Sequence, residues 1–404
     1  MTDFMVTQED KYSPIAGIHV NCSEDSSTAV NNTAVNNTAT NNYDAKTQPA
    51  NVHNKKHSSK NSTRSKSRAG LNSSRAGRRK VFAALDLGTN NCRLLIATPL
   101  DNSFRVIDAF SRIVGLGEGL DTHGVISESS MNKAISSLHI CAQKLKKRQV
   151  THLRAVATEA CRKADNRGHF IDRVRAETGI ALDIISAEAE AKLAVEGCQL
   201  LFKPDRKKAI VFDIGGGSTE VSAVSVAADG SLDIDMWTSL PIGVVRLAEN
   251  ISTSISEANY MQIVGSIKAD LQPFVKELKQ KDQSWKSAFK NDEIQLVGSS
   301  GTVTTLAALQ LGLESYNRNI VDGSWLDRAR LQQVARNTAL ISYKERSQIP
   351  SIGSDRAKLL IPGCAILDAV LEHFTFKEIC IADRGIREGV LRSLMGLTES
   401  QYKK

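Results

Sequence analysis

No apolar run in this 404-residue chain approaches the roughly 18 residues a membrane-spanning helix needs, so a membrane protein is not expected. The first ten residues, Met-Thr-Asp-Phe-Met-Val-Thr-Gln-Glu-Asp, are acidic and lack an apolar core. That speaks against a secretory signal or transit peptide, and a cytoplasmic location is expected. No Cys-x-x-Cys pair occurs, and the seven cysteines are scattered and odd in number. Reduced thiols are the simplest reading, with little support for structural zinc, and Cys92 and Cys161 read as small packing residues. His123, His139, His152, His169 and His373 show no metal spacing and read as structural.

Positive charge is present but unevenly spread. Residues 1–80 carry twelve Lys/Arg against six Asp/Glu, whereas the remainder is nearly balanced. This first segment is low in complexity: Thr-Ala-Val-Asn-Asn occurs twice in tandem, and Lys55 to Lys80 contains no acid. Its few apolar residues cannot offset the entropy of ordering, so a disordered tail is expected. Its two readings are a solubilising extension and an arm that contacts polyanions through Arg64, Lys66, Arg68, Arg75, Arg78, Arg79 and Lys80. No Phe, Trp or Tyr lies between Lys46 and Lys80, so base stacking is largely unavailable there.

From Val81 the pattern is that of a globular α/β protein. Val81–Leu85, Cys92–Ala97 and Arg105–Ser111 read as strands. Ser127–Lys147 reads as an amphipathic helix, with Met131, Ile135, Leu138, Ala142 and Leu145 at helical spacing and Ser127 as N-cap. A strand at Leu153–Ala157, a helix near His169–Thr178, a strand at Leu182–Ser186 and a helix at Ala187–Leu201 follow. The pattern then restarts with strands at Lys208–Asp213, Thr219–Val226 and Ile234–Pro241. Helices are expected at Ile255–Gln280, Gly301–Leu311, Trp325–Ile341, Asp355–Phe374 and Gly385–Gly396, with strands at Glu293–Val297 and Glu378–Ala382. Such a repeat describes a duplicated α/β domain with a ligand cleft between its halves.

Two acidic, glycine-rich turns punctuate the halves: Asp86-Leu87-Gly88-Thr89-Asn90-Asn91 and Asp213-Ile214-Gly215-Gly216-Gly217-Ser218-Thr219-Glu220. Each joins two apolar strands, so each is a hairpin tip that presents backbone N–H groups. Such a tip can cradle phosphate, and its carboxylate can hold a metal ion.

Further segments complete an ordered set. They are Ala-Thr-Glu-Ala-Cys-Arg-Lys-Ala-Asp-Asn at 157–166, Ile-Ile-Ser-Ala-Glu-Ala-Glu-Ala-Lys at 184–192 and Pro-Ile-Gly at 241–243. Gly-Ser-Ser-Gly-Thr-Val-Thr-Thr-Leu-Ala follows at 298–307, then Leu-Ile-Pro-Gly-Cys-Ala-Ile-Leu at 360–367 and Ala-Asp-Arg-Gly-Ile-Arg-Glu-Gly-Val-Leu at 382–391. With the two hairpins, these motifs resemble the exopolyphosphatase/guanosine pentaphosphate phosphatase family, over about residues 81–397. The chain resembles that family's short members, since it contains no His-Asp doublet of the kind found in their added helical region.

The resemblance implies two ribonuclease-H-like (actin-like ATPase) domains with an interdomain cleft. The expected division is 81–186 and 187–384, with a last helix at 385–397 packing back on the first domain. It implies Glu190 as the base that activates water, although the family's usual Ser-Gly-x-Glu-Glu-Ala has Ala187 and Ala189 at two positions here. Spacing alone reads Glu190 as a glutamate favoured by a helix N-terminus, and Glu188 is a second candidate. Arg162 matches a family arginine that faces the phosphates. Phosphate contacts are expected from Gly88, Thr89, Asn90, Asn91, Arg93, Gly215, Gly216, Gly217, Ser218, Gly301 and Thr302. Mg²⁺ is the implied cofactor, near Asp213 and Glu220 with Asp86 as a third acid. Arg384 and Arg387 admit a structural reading, and Asp383 that of a helix N-cap.

The function implied is removal of the terminal phosphate of inorganic polyphosphate, in a bacterial protein. The alternatives are hydrolysis of guanosine pentaphosphate at the same site, as in the stringent response, and a non-catalytic polyphosphate- or alarmone-binding regulator. A sugar- or acetate-type kinase fits less well beside a water-activating glutamate. A homodimer is a candidate assembly.

Overall fold

The structure is a computed structural model that describes residues 80–397. The expectations for the basic tail, its disorder and its polyanion contacts, lie outside the described residues except for Lys80.

The first sheet is built from β1 (Phe82–Leu87), β2 (Asn91–Pro99), β3 (Phe104–Ile113), β4 (His152–Ala157) and β5 (Asp183–Ile184), in the order β3-β2-β1-β4-β5. The hairpin pairs are antiparallel, whereas β1–β4 and β4–β5 are parallel. The parallel pairs need crossovers, which are helical: α1 (Leu120–His123), α2 (Glu128–Lys147), α3 (Glu159–Lys163) and α4 (Arg167–Thr178). Ser127 caps α2 by accepting from Ser130 N at 3.1 Å, while the Ser130 hydroxyl donates to Gly115 O.

Helix α5 (Ala187–Cys198) then leads to the second sheet. That sheet contains β6 (Lys208–Ile214), β7 (Thr219–Val226), β8 (Leu232–Leu240), β9 (Ile294–Ser299), β10 (Trp325–Asp327) and β11 (Glu378–Ala382). Its order is β10-β11-β9-β6-β7-β8, which repeats the first sheet's order with one added edge strand. The helices of this half are α6 (Val244–Ala248), α7 (Glu257–Gln280), α8 (Gln283–Lys290), α9 (Gly301–Gln310), α10 (Arg318–Val321), α11 (Arg328–Leu340), α12 (Tyr343–Gln348) and α13 (Ser354–His373). The chain returns through α14 (Ile386–Leu394).

One expectation is corrected. Trp325–Asp327 is strand β10, antiparallel to β11, and not the first turn of a helix. Helix α11 begins at Arg328 because the Asp327 carboxylate accepts the Arg330 N–H at 2.7 Å, which caps it. The strand at 182–186 shortens to Asp183–Ile184.

Strand alternation decides what each sheet face carries. In β1 and β2, Ala83, Leu85, Leu87, Leu94 and Ile96 pack against α2 and α4 through Met131, Leu138, Phe170 and Val174. Phe82, Ala84, Leu95 and Ala97 face the other way, onto Leu193 of α5 and Val390 and Leu391 of α14. In the second sheet, Ile210, Phe212 and Val221 join the large core under α7, α9 and α13. Ala209, Val211, Val224 and Val226 face Val195 and Cys198 of α5. Helix α5 therefore meets both sheets.

Helices α5 and α14 approach at backbone distance. A methyl group at Gly197 would overlap the Gly385 main chain, and one at Gly389 would overlap that of Leu193. Two glycines make this crossing possible. The described cysteines are all buried; Cys92 and Cys161 pack as expected, and burial pushes the Cys161 thiol up to about 12.

Candidate active site

The same period-two rule positions the chemistry. Asp86 continues the Phe82–Ala84 face of β1, and its register partner Arg93 continues the Leu95–Ala97 face of β2. Asp213 continues the Ala209–Val211 face of β6, and its register partner Glu220 continues the Val224–Val226 face of β7. All four side chains thus leave their strands on the side where α5 lies. The first turn of α5 brings Glu190, with Ser186 capping the helix through Ala189 N at 3.1 Å.

Glu190 is buried, and its Oε2 lies 2.6 Å from Arg162 Nη1. The same Arg162 nitrogen donates to Ile185 O at 3.0 Å, which fixes the guanidinium at the start of α5. Burial, and after it the charge of Glu220, push the Glu190 carboxyl up to about 8 against the opposing pull of Arg162. Glu188, the second candidate, is exposed and turned to solvent.

Glu220 is buried and accepts from the hydroxyls of Ser218 at 2.7 Å and Ser239 at 2.8 Å. Burial pushes it to about 7 against those hydrogen bonds. Asp213 is also pushed to about 7 by burial, opposed by Arg93 and raised by Glu190 and Asp86. Asp86 is raised by burial, and its Oδ1 has no hydrogen-bond partner. Arg93 is lowered by burial and by Arg387, while Asp86, Asp213 and Asp383 favour its charge. The structure thus brings Asp86, Arg93, Arg162, Glu190, Asp213 and Glu220 into one electrostatic group.

Both hairpin tips turn carbonyls away from that group. Asn90 O accepts from Val114 N and Gly115 N, and Thr89 O from Gly117 N. Gly215 O accepts from Val244 N, and Gly216 O from Val245 N, which caps α6. A trans peptide sets its N–H opposite its C=O, so the amides of Asn90, Asn91, Gly216 and Gly217 point away from these partners. The tips also meet. A methyl group at Gly216 would lie 2.9 Å from Thr89 Cβ and 3.1 Å from Asn90 N. One at Gly217 would overlap the Glu159 carboxylate. Gly88 closes the first tip by donating to Asn91 O at 2.9 Å, and Gly215 closes the second by donating to Ser218 O at 2.9 Å.

Gly301 and Thr302 sit differently. Gly301 is exposed at the start of α9, and Thr302 is buried with its side chain against Gly363 of α13. The neighbouring Ser299 faces the site instead: its hydroxyl donates to Arg384 O at 2.8 Å and hydrogen-bonds Asp213.

Three residues that touch this group were not among the expected site residues: Glu159, Ser239 and Ser299. Glu159 is buried, pairs through Oε1 with Lys163 Nζ at 2.7 Å, and leaves Oε2 without a hydrogen-bond partner. Its neighbour Arg162 was the available signal.

The family model described as the Ppx/GppA phosphatase family matches residues 95–398. A putative exopolyphosphatase from Haemophilus influenzae is 27% identical over 321 residues, which is 79% of this chain and 92% of the relative. A guanosine-5'-triphosphate,3'-diphosphate pyrophosphatase from Vibrio vulnificus is 27% identical over 326 residues, 80% of this chain but only 61% of the relative. Among solved structures, an Aquifex aeolicus Ppx/GppA family member superposes with a TM-score of 0.64 at 29% identity, covering 80% of this chain and all of that one. An exopolyphosphatase from Cytophaga hutchinsonii gives a TM-score of 0.68 at 25% identity, over 78% of this chain and 98% of that one.

Proposed function

This chain belongs to the Ppx/GppA phosphatase family, and from that premise we propose that it hydrolyses the terminal phosphoanhydride of inorganic polyphosphate. The observation that carries the reading is a single buried carboxylate, Glu190, gripped by Arg162 and faced by the acids of two glycine-rich hairpins. In-line attack of water on a terminal phosphorus needs a base, an oriented water and donors for the phosphate oxygens. Glu190 takes the proton from water. Arg162 holds Glu190 in place and offers its remaining N–H groups to a phosphate oxygen. The amides of Asn90, Asn91, Gly216 and Gly217 receive the other oxygens, and Arg93 balances the chain's negative charge.

A magnesium ion fits the residues present. Burial raises the proton affinity of Asp86, Asp213 and Glu220, Asp86 adds to that of Asp213 and Asp213 to that of Glu220, and Asp86 Oδ1 has no hydrogen-bond partner, so the group is short of positive charge. Among the described residues, no three acids or imidazoles converge as a ready-made cage. Asp213 and Glu220 would therefore hold the ion through one or two carboxylates, with water and phosphate completing it, as is usual for magnesium. It would neutralise charge on the phosphate oxygens.

Asp213→Asn is expected to raise the magnesium concentration for half-maximal phosphate release by about tenfold or more. An unchanged magnesium titration would remove Asp213 from the ion's environment. Gly217→Ala is expected to lower kcat/KM by about tenfold or more, because the methyl must displace Glu159 or part the hairpin tips. A variant as active as the parent would show that Glu159 yields or the tips part without cost to turnover.

Guanosine pentaphosphate presents the same terminal phosphoanhydride and is the second reading, supported by the name of the Vibrio relative. Parallel assays of phosphate release from long polyphosphate, tripolyphosphate and guanosine pentaphosphate test the choice. A kcat/KM higher for guanosine pentaphosphate than for either polyphosphate would overturn the first reading.

A further inference from the structure

Beside the contact of the hairpin tips lies a small cavity whose lining includes Thr89, Asp121, Glu159, Lys163, Gly217 and Arg246. Two cations face it from opposite halves. Lys163 lies on α3, directly after Arg162. Arg246 lies on α6, whose first turn is bonded to Gly216 of the second hairpin. Each cation is therefore a short, rigid step from an element that surrounds the terminal phosphate in the proposed mechanism.

Both are engaged by acids. Lys163 Nζ is 2.7 Å from Glu159 Oε1 and 3.8 Å from Asp121 Oδ1. Arg246 Nε is 2.7 Å from Asp121 Oδ2, and its Nη1 donates to Pro241 O at 2.8 Å. Asp121 is thus shared between the two cations. Its side chain is 32% exposed, so its ion pairs are partly screened and contribute little to stability. A phosphate chain offers denser charge and bidentate geometry to a guanidinium. It therefore displaces such a carboxylate at small cost.

We propose that Lys163 and Arg246 form a subsite for the internal phosphates of a polyphosphate chain, and that Asp121 is its placeholder, exchanged for phosphate when substrate binds. The proposal rests on the polyphosphate reading above and extends it to the part of the substrate that is not cleaved. It makes two removals of one ion pair act in opposite directions. Losing Asp121 releases Arg246 Nε and the longer of the two ion pairs of Lys163, which keeps Glu159, whereas losing Arg246 removes a ligand for the chain. A mere clasp between the halves would respond alike to either loss.

The test is equilibrium binding of long-chain polyphosphate, measured apart from turnover, to the full chain and its variants. Asp121→Asn is expected to lower Kd by about threefold or more, and Arg246→Gln and Lys163→Gln each to raise it by about tenfold. Asp172→Asn, which removes an exposed acid of α4 outside the site, controls for general loss of negative charge. Thermal melts identify any variant that fails to fold, and Lys163→Gln reports on the subsite independently of Arg246. Shifts of Asp121→Asn and Arg246→Gln in the same direction, or shifts under twofold in all three variants, overturn the subsite. Expected Kd shifts in a protein that releases no phosphate from polyphosphate would uphold the subsite and sink the hydrolase reading instead.

Discussion

Glu190→Gln is expected to lower kcat for phosphate release by about 10²- to 10⁴-fold. The amide keeps the size of the side chain and can still accept from Arg162, whose Nη1 stands 2.6 Å from Glu190 Oε2. What it loses is the capacity to take a proton from water. Substrate binding should change far less, because the phosphate donors are amides and arginines on other elements. The pH profile gives a second readout. Burial and Glu220 lift the Glu190 carboxyl to about 8, so a larger fraction is ionised as pH rises and wild-type kcat climbs through that region. Positive charge beside Glu220 relieves part of the repulsion and moves the limb to lower pH. The variant has no such limb. A kcat within threefold of wild type, with the limb retained, would show that another group is the base.

Arg346→Met is expected to have the largest effect on stability, a loss on the order of 3 kcal/mol, read as a fall in Tm and in the denaturant midpoint. Arg346 is wholly buried, yet no carboxylate pairs with it among the described ion pairs. Its guanidinium instead donates to main-chain oxygens: Ile341 O at 2.7 Å, Ala339 O at 3.1 Å and Thr338 O at 3.3 Å through Nη1. Nε reaches Ala357 O at 3.0 Å and Nη2 reaches Thr253 O at 2.6 Å. Two of the Nη1 acceptors, Thr338 and Ala339, belong to the last turn of α11, the negative end of its dipole, which stabilises a cation there. Burial still pushes the pKa of the group down. Methionine fills much of the volume but removes every one of these N–H donors. Arg346→Lys should recover only part of the loss, since an ammonium cannot span five acceptors spread around a planar fork. A Tm within 2 °C of wild type for Arg346→Met would show that water replaces the guanidinium.

The repeated strand–hairpin–strand pattern was legible because in each half continuous apolar runs break at glycines. Asp86, Asp213 and Glu220 sit at the ends of those runs, so their place at hairpin tips was legible too. Glu190 and Arg162 needed the ordered motifs, because a glutamate in a first helical turn or an arginine beside a lysine has a common structural explanation. Glu159 was passed over for the opposite reason. Its i,i+4 partner Lys163 reads as a surface pair, and only the fold shows the carboxylate pressed against Gly217 from the other half. At Thr302 a glycine-rich turn after a strand suggests a phosphate loop, and only the fold shows that its side chain turns into the interior beside Gly363. Arg346 gave no signal, since its acceptors come from three separate stretches of backbone.

The crossing of α5 and α14 has a consequence for how the protein is made. The helix that aims Glu190 gains one wall of its setting from Val390 and Leu391, nearly 200 residues downstream in the chain. While the ribosome still holds that stretch, Leu193 lacks the cover of Val390 and Leu391, and the helix rests on the two sheets alone. The first half is synthesised early, but its base takes its final pose only after the last turns emerge. Nascent chains truncated before Ile386 should accordingly be inert and prone to capture by chaperones.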